Sequence, residues 1–273
     1  MSRILRSSLL ILSLVAVILA GPANAAAAAS PATRVYIALG DSLAYGTGAS
    51  DRTRTAYVPL LFRYFHQPRA ENVRLLRNLS RPGETSDSFI AGGQLALAVG
   101  AIADPTTDTR VVTLDIGGND LLSLLSGPPC EGDPGGALCQ ALVAEQLRKF
   151  AINYAVILEA LSSALESDPG KETLFVMTYY NPYGGTGHPY EPFADSALLG
   201  SDLAIDCSAP PGDPRVGLND LIACIGAANG AVVADVYPAF GDRASELTHI
   251  ARDDPHPNDA GHAVIAQTFI AAD

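Results

Sequence analysis

Five apolar runs recur along the chain with helical patterns between them. Residues 34–39 (RVYIAL), 73–76, 110–116 (RVVTLDI), 173–180 (TLFVMTYY) and 231–236 (AVVADV) each end near Gly, Asn or Pro. Continuous apolar runs of this length suit strands buried on both faces. Between them, Val58, Leu61, Phe62 and Phe65 have helical spacing, with Pro59 early and Pro68 as the stop. Leu147, Phe150, Tyr154, Leu158, Leu161 and Leu165 form a long apolar stripe ended by Pro169-Gly170. Ile222 and Ile225 mark a short helix with Asn219 near its start, and residues 263–271 the last helix. Strand and helix alternating in this way predict an α/β domain, a parallel five-stranded sheet with helices on both faces. Residues 126–136 and 182–215 read as irregular insertions within that one domain, 34–273. No internal repeat or linker is visible.

The first 25 residues read differently. Arg3 and Arg6 precede an apolar run at 9–20, which Gly21-Pro22 breaks before Ala23-Asn24-Ala25. The run is shorter than the roughly 20 residues that span a bilayer, and small-x-small marks a cleavage site. Residues 1–25 are therefore expected to be a signal peptide, and 26–33 a flexible leader. The protein is expected to be secreted, without a membrane anchor after cleavage. Export gives the four cysteines a meaning: in an oxidising compartment they are expected to form disulfides. Three connectivities exist; the local pairs Cys130–Cys139 and Cys207–Cys224 are the expected ones. None of the spacings resembles a zinc-binding C-x-x-C.

Composition narrows the function. With 29 Asp+Glu against 17 Lys+Arg the formal charge is -12, and only Lys149 and Lys171 are lysines. A nucleic-acid binder needs a basic face, and a phosphate loop needs a lysine in G-x-x-x-x-G-K; neither is present in this sequence.

In an open parallel sheet, ligands gather at the carboxyl ends of the strands. The first strand is followed by Gly40-Asp41-Ser42-Leu43, the second by residues 78–85 with Gly83, and the third by Gly117-Gly118-Asn119-Asp120. Asp253-Asp254-Pro255-His256 precedes the last helix. A serine hydroxyl needs a base to take its proton as it attacks. Imidazole titrates near neutrality, and a carboxylate holds it in one tautomer. The attacked carbonyl develops negative charge, which backbone N–H groups of Ser42 and Gly83 and the amide of Asn119 could meet. No G-x-S-x-G elbow surrounds Ser42. A turn through Pro255 would bring Asp253 to His256. Alternation in extended chain would instead put Asp254 on the histidine's side. The turn favours Asp253.

These blocks resemble the SGNH (GDSL) hydrolases, serine esterases and lipases with a flavodoxin-like α/β/α fold. GDSL at 40–43, the glycine block around Gly83, G-x-N-D at 117–120 and D-x-x-H at 253–256 follow the family's order across nearly the whole chain. The resemblance implies a three-layer α/β/α fold with Ser42 as nucleophile and first oxyanion donor. Gly83 and Asn119 complete the hole, His256 is the base and Asp253 the orienting acid. It implies hydrolysis of a small-molecule or lipid ester with no cofactor and no metal. Within the fold, a sugar-ester deacetylase or thioesterase is the alternative; outside catalysis, a silent binding module is. His256 and His262 are six apart across Pro257, an unsuitable pair for a metal on one helical face. His66, His188 and His249 carry no partner signal. Tyr179, Tyr180, Tyr183 and Tyr190 are candidates either to line a substrate pocket or to pack the strand end. A monomer is expected.

Overall fold

The computed structural model describes residues 32–125, 127–167 and 171–273. The expected signal peptide lies outside the described residues, as does the leader up to residue 31. Thr33 already belongs to the first strand, so the leader's boundary moves back by one residue.

The strands are β1 (Thr33–Gly40), β2 (Leu75–Asn78), β3 (Thr107–Asp115), β4 (Thr173–Met177) and β5 (Val232–Ala234). They form one parallel sheet in the order β2-β1-β3-β4-β5. The central strands β1, β3 and β4 are the most deeply buried, and each carries a largely apolar stretch. Each connection is a crossover carrying helix. They are α1 (Ser42–Tyr45), α2 (Tyr57–Phe65), α3 (Ser86–Ala91), α4 (Gln94–Ile102), α5 (Gly118–Leu125), α6 (Ala137–Glu166), α7 (Glu191–Leu199) and α8 (Leu218–Ala228). After β5 come α9 (Val236–Phe240), α10 (Ala244–Leu247) and α11 (Asp259–Ala272). Helices α2 and α11 pack together, while α3, α4, α5 and α8 gather around α6, giving the three-layer α/β/α arrangement.

A short antiparallel pair, β6 (Thr248–His249) and β7 (Asp254–Pro257), precedes α11. The apolar pattern gives no sign of it, because two-residue pairing needs no run. The insertion at 182–215 also differs from expectation: it contains α7, whose Phe193, Ala194, Ala197 and Leu198 fall on one helical face. Both local disulfides are formed, Cys130–Cys139 joining the first insertion to the start of α6 and Cys207–Cys224 joining the second to α8.

Candidate active site

Everything that the sequence placed after β1, β2 and β3 meets at the carboxyl edge of the sheet. The chain leaves β1 through Gly40, whose φ of +133° and close approach to Asp115 exclude a side chain: a Cβ there would lie 2.1 Å from Asp115 Oδ1. The buried Gln94 of α4 clamps this point. Its Oε1 accepts the Gly40 N–H (2.7 Å) and its Nε2 donates to Gly40 O (3.1 Å) and to Glu84 Oε2 (2.7 Å). Ser42 then opens the one-turn helix α1, capped by Asp41, whose Oδ1 accepts the Leu43 N–H at 2.8 Å.

His256 reaches Ser42 from β7. Its Nε2 lies 2.9 Å from Ser42 Oγ, and its Nδ1 lies 2.6 Å from Asp254 Oδ1. The sequence expectation of Asp253 as the partner is therefore corrected. Asp253 is exposed at the end of a 3-10 turn (Ile250–Arg252) with φ +57°, whereas Asp254-Pro255-His256 is extended strand. In extended chain, residues two apart share a side, so the carboxylate comes from position 254. Asp254 Oδ1 also accepts the backbone N–H of His256 at 3.0 Å, and Tyr180 Oη donates to Pro255 O at 2.8 Å, fixing the strand between the two. Burial works to raise Asp254, but the hydrogen bonds from the His256 backbone and ring outweigh it and hold the carboxyl below its ordinary value.

Gly83 sits exposed in a turn with φ +79°, a left-handed position that suits glycine. Asn119, in the first turn of α5, is tied to that turn: its Nδ2 donates to Glu84 O at 2.9 Å and to Asp41 Oδ2 at 3.2 Å. Ser42 and Asn119 face the same cleft.

Beneath Ser42 lies a feature that sequence reading missed: two buried carboxyl groups in contact, Asp41 and Asp115. Asp41 Oδ2 accepts the Tyr179 hydroxyl (2.8 Å) as well as Asn119. Asp115 Oδ1 accepts the Tyr57 hydroxyl (2.9 Å) and Oδ2 the Ala44 N–H (3.1 Å). Burial and then the charge of Asp41 push Asp115 far above the usual carboxylate range. Burial raises Asp41 too, opposed by hydrogen bonds from Leu43, Asp115 and Tyr179. Two such groups cannot both ionise readily, and of the two Asp115 is the harder to ionise. The signal was an acid at the buried carboxyl end of a central strand.

The cleft above is apolar. Leu121, Tyr180, Tyr183, Phe193, Ala197 and Leu218 are among its walls, with Ser42, Asn119 and His256 at its polar end, and its volume is about 140 Å³. Of the tyrosine cluster, Tyr179, Tyr180 and Tyr183 line it; Tyr190 packs edge-on against Tyr183 and His188. Three other histidines bond backbone carbonyls. His66 bonds Val73 O, His249 Nε2 bonds Gly48 O (2.8 Å), and His262 Nε2 bonds Thr47 O (3.0 Å). Among the described residues no cluster of three His, Cys, Asp or Glu side chains could hold a metal ion. No helix among them is long and apolar enough to cross a membrane.

A family model for the GDSL-like lipase/acylhydrolase family matches residues 38–264, and the chain belongs to that family. It is a carboxylic ester hydrolase by class. Among solved structures, a lipase from a goat rumen metagenome is 21% identical, with a TM-score of 0.63, covering 88% of this chain and 97% of its own. An acetylxylan esterase from Geobacillus stearothermophilus is 16% identical with a TM-score of 0.55, covering 88% and 94%. An alpha/beta hydrolase from the metagenome of Lake Arreo, Spain, is 22% identical with a TM-score of 0.51, covering 88% and 95%. At these identities the likeness is one of fold. No curated protein matches the chain significantly.

Proposed function

We propose that this protein is an exported serine esterase that hydrolyses esters of short acyl chains through an acyl-enzyme on Ser42. The observation that carries the reading is the Ser42–His256–Asp254 chain of hydrogen bonds, 2.9 and 2.6 Å, at the polar end of an apolar cleft. His256 carries its Nδ1 proton toward Asp254, which leaves Nε2 free to take the Ser42 proton as Oγ attacks the ester carbonyl. The imidazolium then protonates the leaving alcohol, and water repeats the sequence on the acyl-enzyme. The N–H groups of Ser42 and Gly83 and the Asn119 amide serve as oxyanion donors. Asn119 meets the developing charge by lengthening its weaker bond, the one to Asp41.

The cleft sets the acyl class. A dry cavity of 150 Å³ lined by apolar side chains holds benzene, and this cleft of about 140 Å³ has similar room. Acyl groups of about four to eight carbons fill it, whereas the hydroxyls of a sugar would find few partners on its aliphatic and aromatic walls. The two disulfides support export. The test is a p-nitrophenyl ester series from acetyl to palmitoyl, run beside acetylated xylo-oligosaccharides and acyl thioesters. A kcat/KM maximum at butyrate to octanoate is expected. A maximum on the acetylated sugar would replace this reading with deacetylation.

A further inference from the structure

Helix α6 buries one face and leaves an unusual pattern on the other. Leu147, Phe150, Tyr154, Leu158 and Leu161 are buried in the core. On the opposite side, Leu138, Leu142, Ile152 and Val156 are 72, 41, 67 and 47% exposed. Glu145 and Lys149 lie between them, with side chains 73 and 51% exposed, Glu145 paired within the chain to Arg148 and Lys149 to Asp87 of α3, so a seam would share or exchange these partners. Residues 138, 142, 145, 149, 152 and 156 follow one another at steps of four, three, four, three and four. That is the a/d spacing of a coiled-coil seam, and Leu147 and Tyr154 occupy the position opposite it.

The seam is self-complementary when reversed. About a centre at position 147, 138 stands opposite 156, 142 opposite 152 and 145 opposite 149. An antiparallel copy therefore sets Leu138 against Val156, Leu142 against Ile152 and Glu145 against Lys149. The outer layers are apolar and the central ones pair opposite charges. A parallel copy would align Glu145 with Glu145 and Lys149 with Lys149, which like-charge repulsion disfavours. A lipid surface would accept the leucines but would have to desolvate Glu145 and Lys149 at the middle of the patch.

We propose that this face of α6 is a homodimer interface, an antiparallel two-helix seam in which a second copy of the chain supplies Lys149 to Glu145 and Glu145 to Lys149. It replaces the monomer expected from sequence and is independent of the catalytic reading. The contact is isologous, as a two-fold dimer requires. Its seam is about 27 Å long at 1.5 Å per residue, so the dimer is weak and concentration-dependent.

Sedimentation velocity on the full-length processed protein tests it, from about 1 µM to about 1 mM, a range that brackets weak association. The wild type is expected to shift from monomer to dimer across the range. Glu145→Lys, which brings four lysines together, should weaken dimerisation at least about tenfold, a change of about 1.4 kcal/mol. The exchange Glu145→Lys with Lys149→Glu should recover part of it, because the reversed pair again matches across the seam while each substitution meets a like charge, Arg148 or Asp87, within its own chain. Ile152→Glu should abolish it. Ester hydrolysis serves as the check on folding, since none of these residues touches the cleft. A wild type that stays monomeric at about 1 mM, a Glu145→Lys variant that dimerises as well as wild type, or monomeric adsorption to neutral phosphatidylcholine vesicles that Ile152→Glu removes would overturn the proposal.

Discussion

Asp254 grips His256 twice, through the ring Nδ1 at 2.6 Å and the backbone N–H at 3.0 Å, from only two residues away along the same strand. The double contact fixes both the tautomer and the tilt of the ring that faces Ser42. Asp254→Asn removes the carboxylate and allows the amide to hold the wrong tautomer, so kcat should fall by up to about 10⁴. Asp253→Asn, exposed and aimed elsewhere, should stay near wild type. Paired kinetics of the two variants on one p-nitrophenyl ester decide the matter; a crippled Asp253→Asn beside an active Asp254→Asn would reverse the assignment.

The loop after Ser42 is pressed against the strand that carries His256. Gly48 has φ +88°, and a Cβ there would lie 2.3 Å from Pro257 O and 3.1 Å from His256 Cβ. Gly48→Ala should therefore cost stability of about 1–3 kcal/mol from backbone strain and push His256 from Ser42. The expected signature is a fall in kcat larger than any change in KM, together with a lower Tm. Unchanged kcat would mean that the loop does not set the Ser42–His256 distance.

The Asp41–Asp115 pair makes a prediction with a spectroscopic reading. Asp115→Asn can still donate an N–H to Asp41 and accept from Ala44, so it should keep kcat within about threefold of wild type. Asp115→Ala leaves the Tyr57 hydroxyl and the Ala44 N–H without their acceptor and should cost about 1–3 kcal/mol. At neutral pH the wild type should show an infrared band of a protonated carboxyl group that Asp115→Asn lacks. A wild type without that band would show that both carboxyls are ionised.

His262 makes stability depend on pH. Its Nε2 donates to Thr47 O and its Nδ1 accepts the Tyr57 N–H at 3.3 Å, so the buried ring is held neutral, and burial lowers its pKa from 6.5 to about 4. The unfolded chain then binds the proton that the folded chain refuses. This contribution is complete above pH 6.5 and declines as pH falls toward 4. Between pH 7 and pH 5 it amounts to about 2 kcal/mol. Urea unfolding of wild type and His262→Gln at both pH values isolates it: the wild type should lose that much more stability than the variant, and equal losses would refute the assignment.

Much of this architecture was legible because it rests on local signals. Runs dominated by apolar residues marked all five sheet strands, and Gly40 and Gly117 stood at or just past the ends of two of them. The blocks carrying Ser42, Asn119 and His256 were readable for the same reason. The choice between Asp253 and Asp254 was not local. It depends on β7 pairing with β6 and on Tyr180, 75 positions away in sequence, holding Pro255 O. Gln94 and Glu84 escaped notice because their roles come from contacts distant in sequence, Gln94 with Gly40 across a crossover and Glu84 with Gln94. Asp115 was visible as a charge inside RVVTLDI, yet only burial beside Asp41 gives that charge a meaning.

The most direct test of the account is the identity of the acylated side chain. The protein is treated with a fluorophosphonate, digested and mapped by mass spectrometry, with Ser42→Ala and His256→Ala carried in parallel. The account predicts a single stoichiometric adduct on the peptide containing Ser42 in the wild type, none in Ser42→Ala, and labelling slowed by orders of magnitude in His256→Ala. An adduct on another residue, or undiminished ester turnover by Ser42→Ala, would contradict it.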